Sequence, residues 1–177
     1  GHLKARGKAF RPHGKTHKCP EIAKTLVRPG AVGSCVAKLS EAEVFAEHGI
    51  KGLLVTTQVV GRRKIERAVA LASRAPDTIF VVDDARIARE MNDAAAAQKG
   101  RKQKDNLPVD LLYGRTAIPA GEPAVELAKV IASLPNVTLA AIQALHPFYV
   151  TKTGAVVASW MTSLDRELAI ADNIDYV

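Results

Sequence analysis

The chain has 177 residues, 47% hydrophobic and 24% charged, enough for one globular domain with a sizeable core. No run of about eighteen apolar residues is present, so no membrane-spanning helix is expected, and the opening GHLKARGKAF lacks the apolar stretch of a secretory leader. The net charge of +7 is gathered at one end: residues 1–28 hold eight Lys and Arg against Glu21 alone, while the remaining 149 balance, and such a cluster seeks an anion.

From residue 10 onward, strand-like and helix-like runs alternate. FRPHGKT (10–16) reads as a first strand, and CPEIAKTLV (19–27) as a helix with Pro20 early, where a missing N–H costs little. GSCVA (33–37) is a second strand. SEAEVFAEHG (40–49) has Ser40 and Glu43 in capping-box spacing and stops at Gly49. LLVTT (53–57) precedes GRRKIERAVALASRA (61–75), which sets Ile65, Val69 and Ala72 on one stripe. TIFVVDD (78–84) precedes the helical ARIAREMNDAAAAQK (85–99). A polar, basic loop at 98–106 follows, its charge run reading as a solvated surface. VDLLY (109–113), EPAVELAKVIASL (122–134) and TLAAIQAL (138–145) continue the alternation. The rhythm then breaks at FYVTKTGAVVASWM (148–161), where Trp160 reads as a packing residue, and a last helix over 163–173 is expected with Ser163 as N-cap.

Several of the strand runs are continuously apolar and β-branched, as fits strands covered on both faces. Alternating units of about thirty residues mean an α/β fold with a parallel sheet. An open doubly wound sheet and a (β/α)8 barrel both satisfy that pattern. About six strands are legible, and a full barrel usually takes about 250 residues.

The first strand is unusual. RPHGKTHK places Arg11, His13, Lys15 and His17 at every second position, so an extended chain puts four basic groups on one face. On a half-enclosed face, desolvation and like charge disfavour an ammonium, and a neutral amine is a nucleophile toward an aldehyde. That reading makes Lys15 a pyridoxal-phosphate lysine. A solvated basic arm is the plain alternative. A metal is the third: His13, His17 and Cys19 are ligand types, but the imidazoles of an extended segment lie about 13 Å apart, too far for one tetrahedral ion. Two cysteines are too few for a disulfide framework and fit a reducing, cytoplasmic setting, with Cys35 read as a buried small hydrophobe. Thr56, Thr57, Gln58 and Asp83 end strands and are candidates for a ligand-facing mouth; Asp84 reads as a helix N-cap.

The segments RPHGKTHKCPEIA, GAVGSCVAKLSEAEVFAEHGI, VGRRKI and VVDDA resemble the N-terminal barrel of D-threonine aldolase and its D-serine dehydratase relatives, over roughly residues 2–145. These are fold-type III pyridoxal-phosphate enzymes akin to alanine racemase. The resemblance implies a parallel (β/α) barrel of the TIM type, here about six units over residues 1–147 without the C-terminal β-domain, followed by a divergent tail over 148–177. It implies that Lys15 bears the cofactor, that Arg115 of GRT faces the ring oxygen, and that His13, Gln143 and His146 line the pocket. It implies a lyase acting on a small D-β-hydroxy amino acid; the residues themselves point to a cytoplasmic chain with no membrane partner and no metal cluster, and the exposed edges of an incomplete barrel leave it open to self-association. Where the family has QAYHG, this chain has Leu145 and Pro147, and after Gly121 its one glycine is Gly154. Those departures define a second expectation, a barrel scaffold without activity. A polyanion-binding basic N-terminus is the third, although 5% aromatic content offers few stacking platforms for nucleic acid.

Overall fold

The computed structural model describes residues 2–99, 106–114, 118–119, 121–145, 150–151 and 174–175. The elements in chain order are α1 (His2–Ala5), α2 (Pro20–Val27), β1 (Ser34–Val36), α3 (Leu39–Glu47), β2 (Leu53–Val55), α4 (Arg62–Arg74), β3 (Ile79–Val82), α5 (Ala85–Lys99), β4 (Leu107–Gly114), α6 (Glu122–Ser133), β5 (Val137–Leu145), β6 (Val150–Thr151) and β7 (Ile174–Asp175). The last two pair antiparallel, and the helix expected over 163–173 lies outside the described residues.

The main sheet is five-stranded in the order β1-β2-β3-β4-β5, with every pair parallel. Sequential order decides between the two solutions that periodicity left open and bears out the barrel that the resemblance implied. A doubly wound sheet reverses direction at a switch point and puts helices on both faces. Here the order never reverses, and right-handed crossovers then stack consecutive helices on one side, as in a barrel. The helix side of the sheet is packed by Val36, Leu53, Val55, Phe80, Val82, Leu107, Val109 and Leu111, in one cluster with Phe45, Ile65, Leu71, Ile87, Met91, Leu127 and Ile131 from the helices. The opposite, inner face is a smaller cluster of Leu54, Val81 and Leu112, with Cys35 and Ile79 against it. Both faces being apolar is why LLV and IFVV carry no polar alternation.

The first strand survives as backbone pairing rather than as a full ladder. Val32 N–H donates to Phe10 O (2.8 Å), Cys35 N–H to Pro12 O (2.8 Å) and Gly14 N–H to Cys35 O (2.7 Å), and His13 bridges Cys35 in parallel. Pro12 suits this edge position, since only its carbonyl is used.

Local chemistry explains the helix starts. In α3 the N-cap is Lys38, not Ser40, and Lys38 has no side-chain acceptor. The reach-back is made by Glu41, whose Oε2 accepts from Ala37 N–H (2.8 Å) and Lys38 N–H (3.3 Å). Glu43, the acid that the capping-box spacing pointed to, is instead clamped by the Arg67 guanidinium of α4. Asp84 does cap α5: its Oδ1 accepts from Arg86 N–H (2.6 Å) and Ile87 N–H (3.4 Å).

At the amino ends of β1 and β2 two backbones touch. A Cβ on Gly33 (φ +148°) would lie 1.9 Å from Gly52 O, whereas one on Gly49 (φ +78°) would meet nothing within 4 Å. Gly33→Ala is therefore expected to cost about 3 kcal/mol or more. Gly49→Ala should cost only the roughly 1 kcal/mol of a left-handed alanine. Urea midpoints of the two variants separate steric exclusion from backbone preference.

Candidate active site

In parallel α/β sheets ligands bind beyond the carboxyl ends of the strands. Here the first segment, β1, β2 and β3 bring His13, Ala37, Thr56 and Asp83 to that end.

The chain leaves the sheet at Gly14. This residue is buried, and a Cβ on it would lie 2.8 Å from Phe45 Cε2 and 2.9 Å from Cζ. Phe45, 1% exposed on α3, is thus the floor beneath a turn over residues 14–17. Lys18 N–H donates to Gly14 O (2.7 Å) and closes the turn. Lys18 takes φ +48°, a left-handed conformation that costs an ordinary residue about 1–2 kcal/mol. Its ammonium reaches Glu41 Oε1 at 3.5 Å, the same carboxylate that starts α3. Those hydrogen bonds and that charge pair hold Glu41 below the usual carboxylate range, against the opposing effect of its desolvation, which is the largest single influence. The His17 ring stacks on Phe45, centroids 6.3 Å apart and planes 16° from parallel.

This turn corrects the expected four-residue basic face. Arg11 and His13 lie on the extended segment, but Lys15 and His17 lie on the turn. Lys15 is exposed, so the half-enclosed surroundings expected for it are not found. The physical reason is Gly14: its contact with Phe45 ends the strand two residues earlier than alternation alone would suggest.

His13 is half-buried and sits at the centre of a hydrogen-bonded chain. Its Nδ1 accepts from Lys15 N–H at 3.1 Å, and its Nε2 lies 3.1 Å from Thr56 Oγ1. Thr56 Oγ1 in turn donates to Val36 O at 3.1 Å. Burial lowers the His13 pKa from 6.5, the nearby Lys15 ammonium lowers it further, and Glu41 opposes both. The imidazole is therefore neutral at neutral pH. His17 makes the matching local bond, accepting Cys19 N–H on Nδ1 at 3.1 Å. The two rings thus serve separate turns of backbone rather than a common centre.

At the next strand ends Gln58 Nε2 donates to Asp83 Oδ2 at 2.7 Å. The Cys35 thiol is pushed up to about 11, by burial first and then by Asp110, with Arg11 opposing. It is protonated at neutral pH and donates to Arg11 O at 3.5 Å, a packing group rather than a nucleophile. Gln143 lies on β5 in register with Leu112, at the far side of the sheet from His13. Arg115 and His146 lie outside the described residues. The residues that sequence reasoning missed are Glu41 and Phe45, which place the turn through an ion pair with Lys18 and a ring contact with His17. Glu41 was hidden by the stronger capping signal at Ser40 and Glu43.

Two outcomes follow. Gly14→Ala should destabilise by about 1–3 kcal/mol through the Phe45 ring, and Phe45→Leu in the same chain should return part of that loss, as a double-mutant cycle in urea would measure. Because the folded state depresses the His13 pKa, its stabilising contribution is complete above about pH 6.5 and is lost as pH falls through the folded value. The urea midpoint should therefore drop on acidification, and drop less in His13→Gln.

Comparison with known proteins places the chain in a family. The family model described as alanine racemase, N-terminal domain, matches residues 2–155. The 3-hydroxy-D-aspartate aldolase of Paracoccus denitrificans is 38% identical over 144 residues, 81% of this chain and 37% of that protein. The crystal structure of D-threonine aldolase from Filomicrobium marinum superposes with a TM-score of 0.71 at 36% identity, covering 80% of this chain and 38% of the other. An alanine racemase of Clostridium difficile shares the fold, with a TM-score of 0.66 at 15% identity, over 77% of this chain and 37% of its own. The chain thus spans a little over a third of the length of these relatives.

Proposed function

Because the chain belongs to the alanine racemase N-terminal domain family, we propose that it is the cofactor-bearing barrel of a pyridoxal-phosphate lyase acting on a small D-β-hydroxy amino acid. The observation that carries this reading is the clamped turn at residues 14–18, which lies at the carboxyl end of the sheet and whose Lys15 backbone N–H donates to the neutral imidazole of His13.

The donors present fit the cofactor's chemistry. Lys15 offers a primary amine to its aldehyde. Arg11, on the same segment as His13, has a buried Nε with no hydrogen-bond partner among the described residues, and a cation there suits an anionic oxygen. Arg115, Gln143 and His146 join the proposed pocket on the resemblance alone. When bound, pyridoxal phosphate supplies an electron sink for the charge left at the substrate's Cα.

The protein's own share is positional. Lys15 would hold the cofactor, and its Nζ would be the chain's own candidate proton carrier. His13 Nδ1 is occupied by the Lys15 amide, so this ring orients the turn and does not exchange protons at that atom. Gln58 and Asp83 offer a carboxamide and a carboxylate to the substrate's polar groups. The relatives named as aldolases of 3-hydroxy-D-aspartate and D-threonine support a D-β-hydroxy amino acid as the substrate class.

The test is borohydride reduction in the presence of pyridoxal phosphate, followed by peptide mass mapping. A stable pyridoxyl tag on Lys15, absent in Lys15→Ala, is the expected result. A tag spread evenly over the N-terminal lysines would end the reading and leave a basic arm that gathers anions.

A further inference from the structure

We propose that Thr56 is a positioning residue whose hydroxyl selects the Nε2-protonated tautomer of His13, and that this tautomer holds the turn that presents Lys15. The importance attached to Lys15 rests on the reading above. The proton arrangement stands apart from it.

The argument is a count of hydrogens. Thr56 Oγ1 has one proton, and Val36 O at 3.1 Å can only accept, so that proton is spent there. Toward His13 Nε2, 3.1 Å away, the same oxygen is then an acceptor, which requires hydrogen on Nε2. At the other side of the ring, the Lys15 backbone N–H can only donate, and it points at Nδ1 from 3.1 Å. Nδ1 must present its lone pair. Both ends of the ring are met by one tautomer: the Nδ1-protonated ring fails at both ends, and the imidazolium fails at Nδ1. The Nδ1-protonated ring and the imidazolium would each set N–H against N–H at the Lys15 amide. The charges facing the ring are the Lys15 ammonium and the Glu41 carboxylate, which act in opposite senses. The hydroxyl is itself held rigidly, because Thr56 N–H also donates to Val36 O at 2.9 Å.

The chain Val36–Thr56–His13–Lys15 therefore ties the end of β2 to the turn after the first segment through one imidazole. His17 serves as an internal reference: it takes the same amide-to-Nδ1 bond from Cys19 at 3.1 Å while its ring lies on Phe45.

The experiment uses the chain as it is, without cofactor. Imidazole nitrogen NMR, with the His13 signals identified by their loss in His13→Gln, is expected to show a protonated Nε2 and a bare Nδ1 at neutral pH. Thr56→Val leaves the Nε2 hydrogen without its acceptor, so part of the population should shift to the Nδ1-protonated ring and hydrogen exchange at the Lys15 amide should speed up about tenfold, the effect of one lost hydrogen bond. Thr56→Ser, which keeps the hydroxyl, should restore both. A wild-type His13 protonated on Nδ1 overturns the proposal whether or not Thr56→Val folds. So does a Thr56→Val variant with the wild-type tautomer and the wild-type Lys15 exchange rate. Failure of Lys15 to take a pyridoxyl tag leaves these spectra unaffected and counts against the proposed function alone.

Discussion

The contact on which the site depends is between a backbone and a ring. Gly14 lies so close to Phe45 that a single methyl group would overlap the aromatic edge. That contact fixes where the first segment stops pairing with β1 and where the chain turns. The turn is then closed by Lys18 N–H on Gly14 O, at the cost of a left-handed lysine. Such a conformation persists only when its surroundings over-determine it. Here they do: Gly14 is bonded to Cys35, Lys18 to Glu41, and Lys15 to His13.

Glu41 shows how the fold links the scaffold to the site. One of its oxygens satisfies amide groups at the start of α3, and the other meets the ammonium of Lys18. Phe45, one turn further along the same helix, supports Gly14 and stacks with His17. Helix α3 thus both covers the sheet and sets the turn. Its own place is fixed by Leu39, Ala42 and Phe45 packed into the main core. Shifting that helix would move the turn with it, which is why a residue with no chemistry of its own matters to where the turn lies.

The inner face of the sheet is the quieter side. Leu54, Val81 and Leu112 form a small apolar patch beside a protonated Cys35, and the polar groups gather above it at the strand ends. This division is the usual one for a barrel: stability below and chemistry at the carboxyl rim. The basic bias of the N-terminal 28 residues is met by Glu41 at Lys18 and by Glu21 at Lys24, the latter at 2.7 Å. Exposed pairs of this kind contribute little to stability, so their interest lies in placement.

Much of the architecture was legible in the residues. Apolar β-branched runs marked five strands, the stripe of Ile65, Val69 and Ala72 marked the buried face of α4, and Asp84 marked the start of α5. These are local properties, set by periodicity and by which side chains can satisfy a helix end. The charged cluster and the motif around Lys15 also pointed to the place where chemistry should be sought. Tertiary structure decided the rest. Sequential strand order separated a barrel from a doubly wound sheet, because order depends on contacts between distant segments. It chose Glu41 over Glu43 for the helix start, because Arg67 of another helix takes Glu43. Above all it broke the alternation of Arg11, His13, Lys15 and His17. No local rule foretells that a glycine will meet a phenyl ring thirty-one positions away, and that meeting puts Lys15 on a turn instead of a strand.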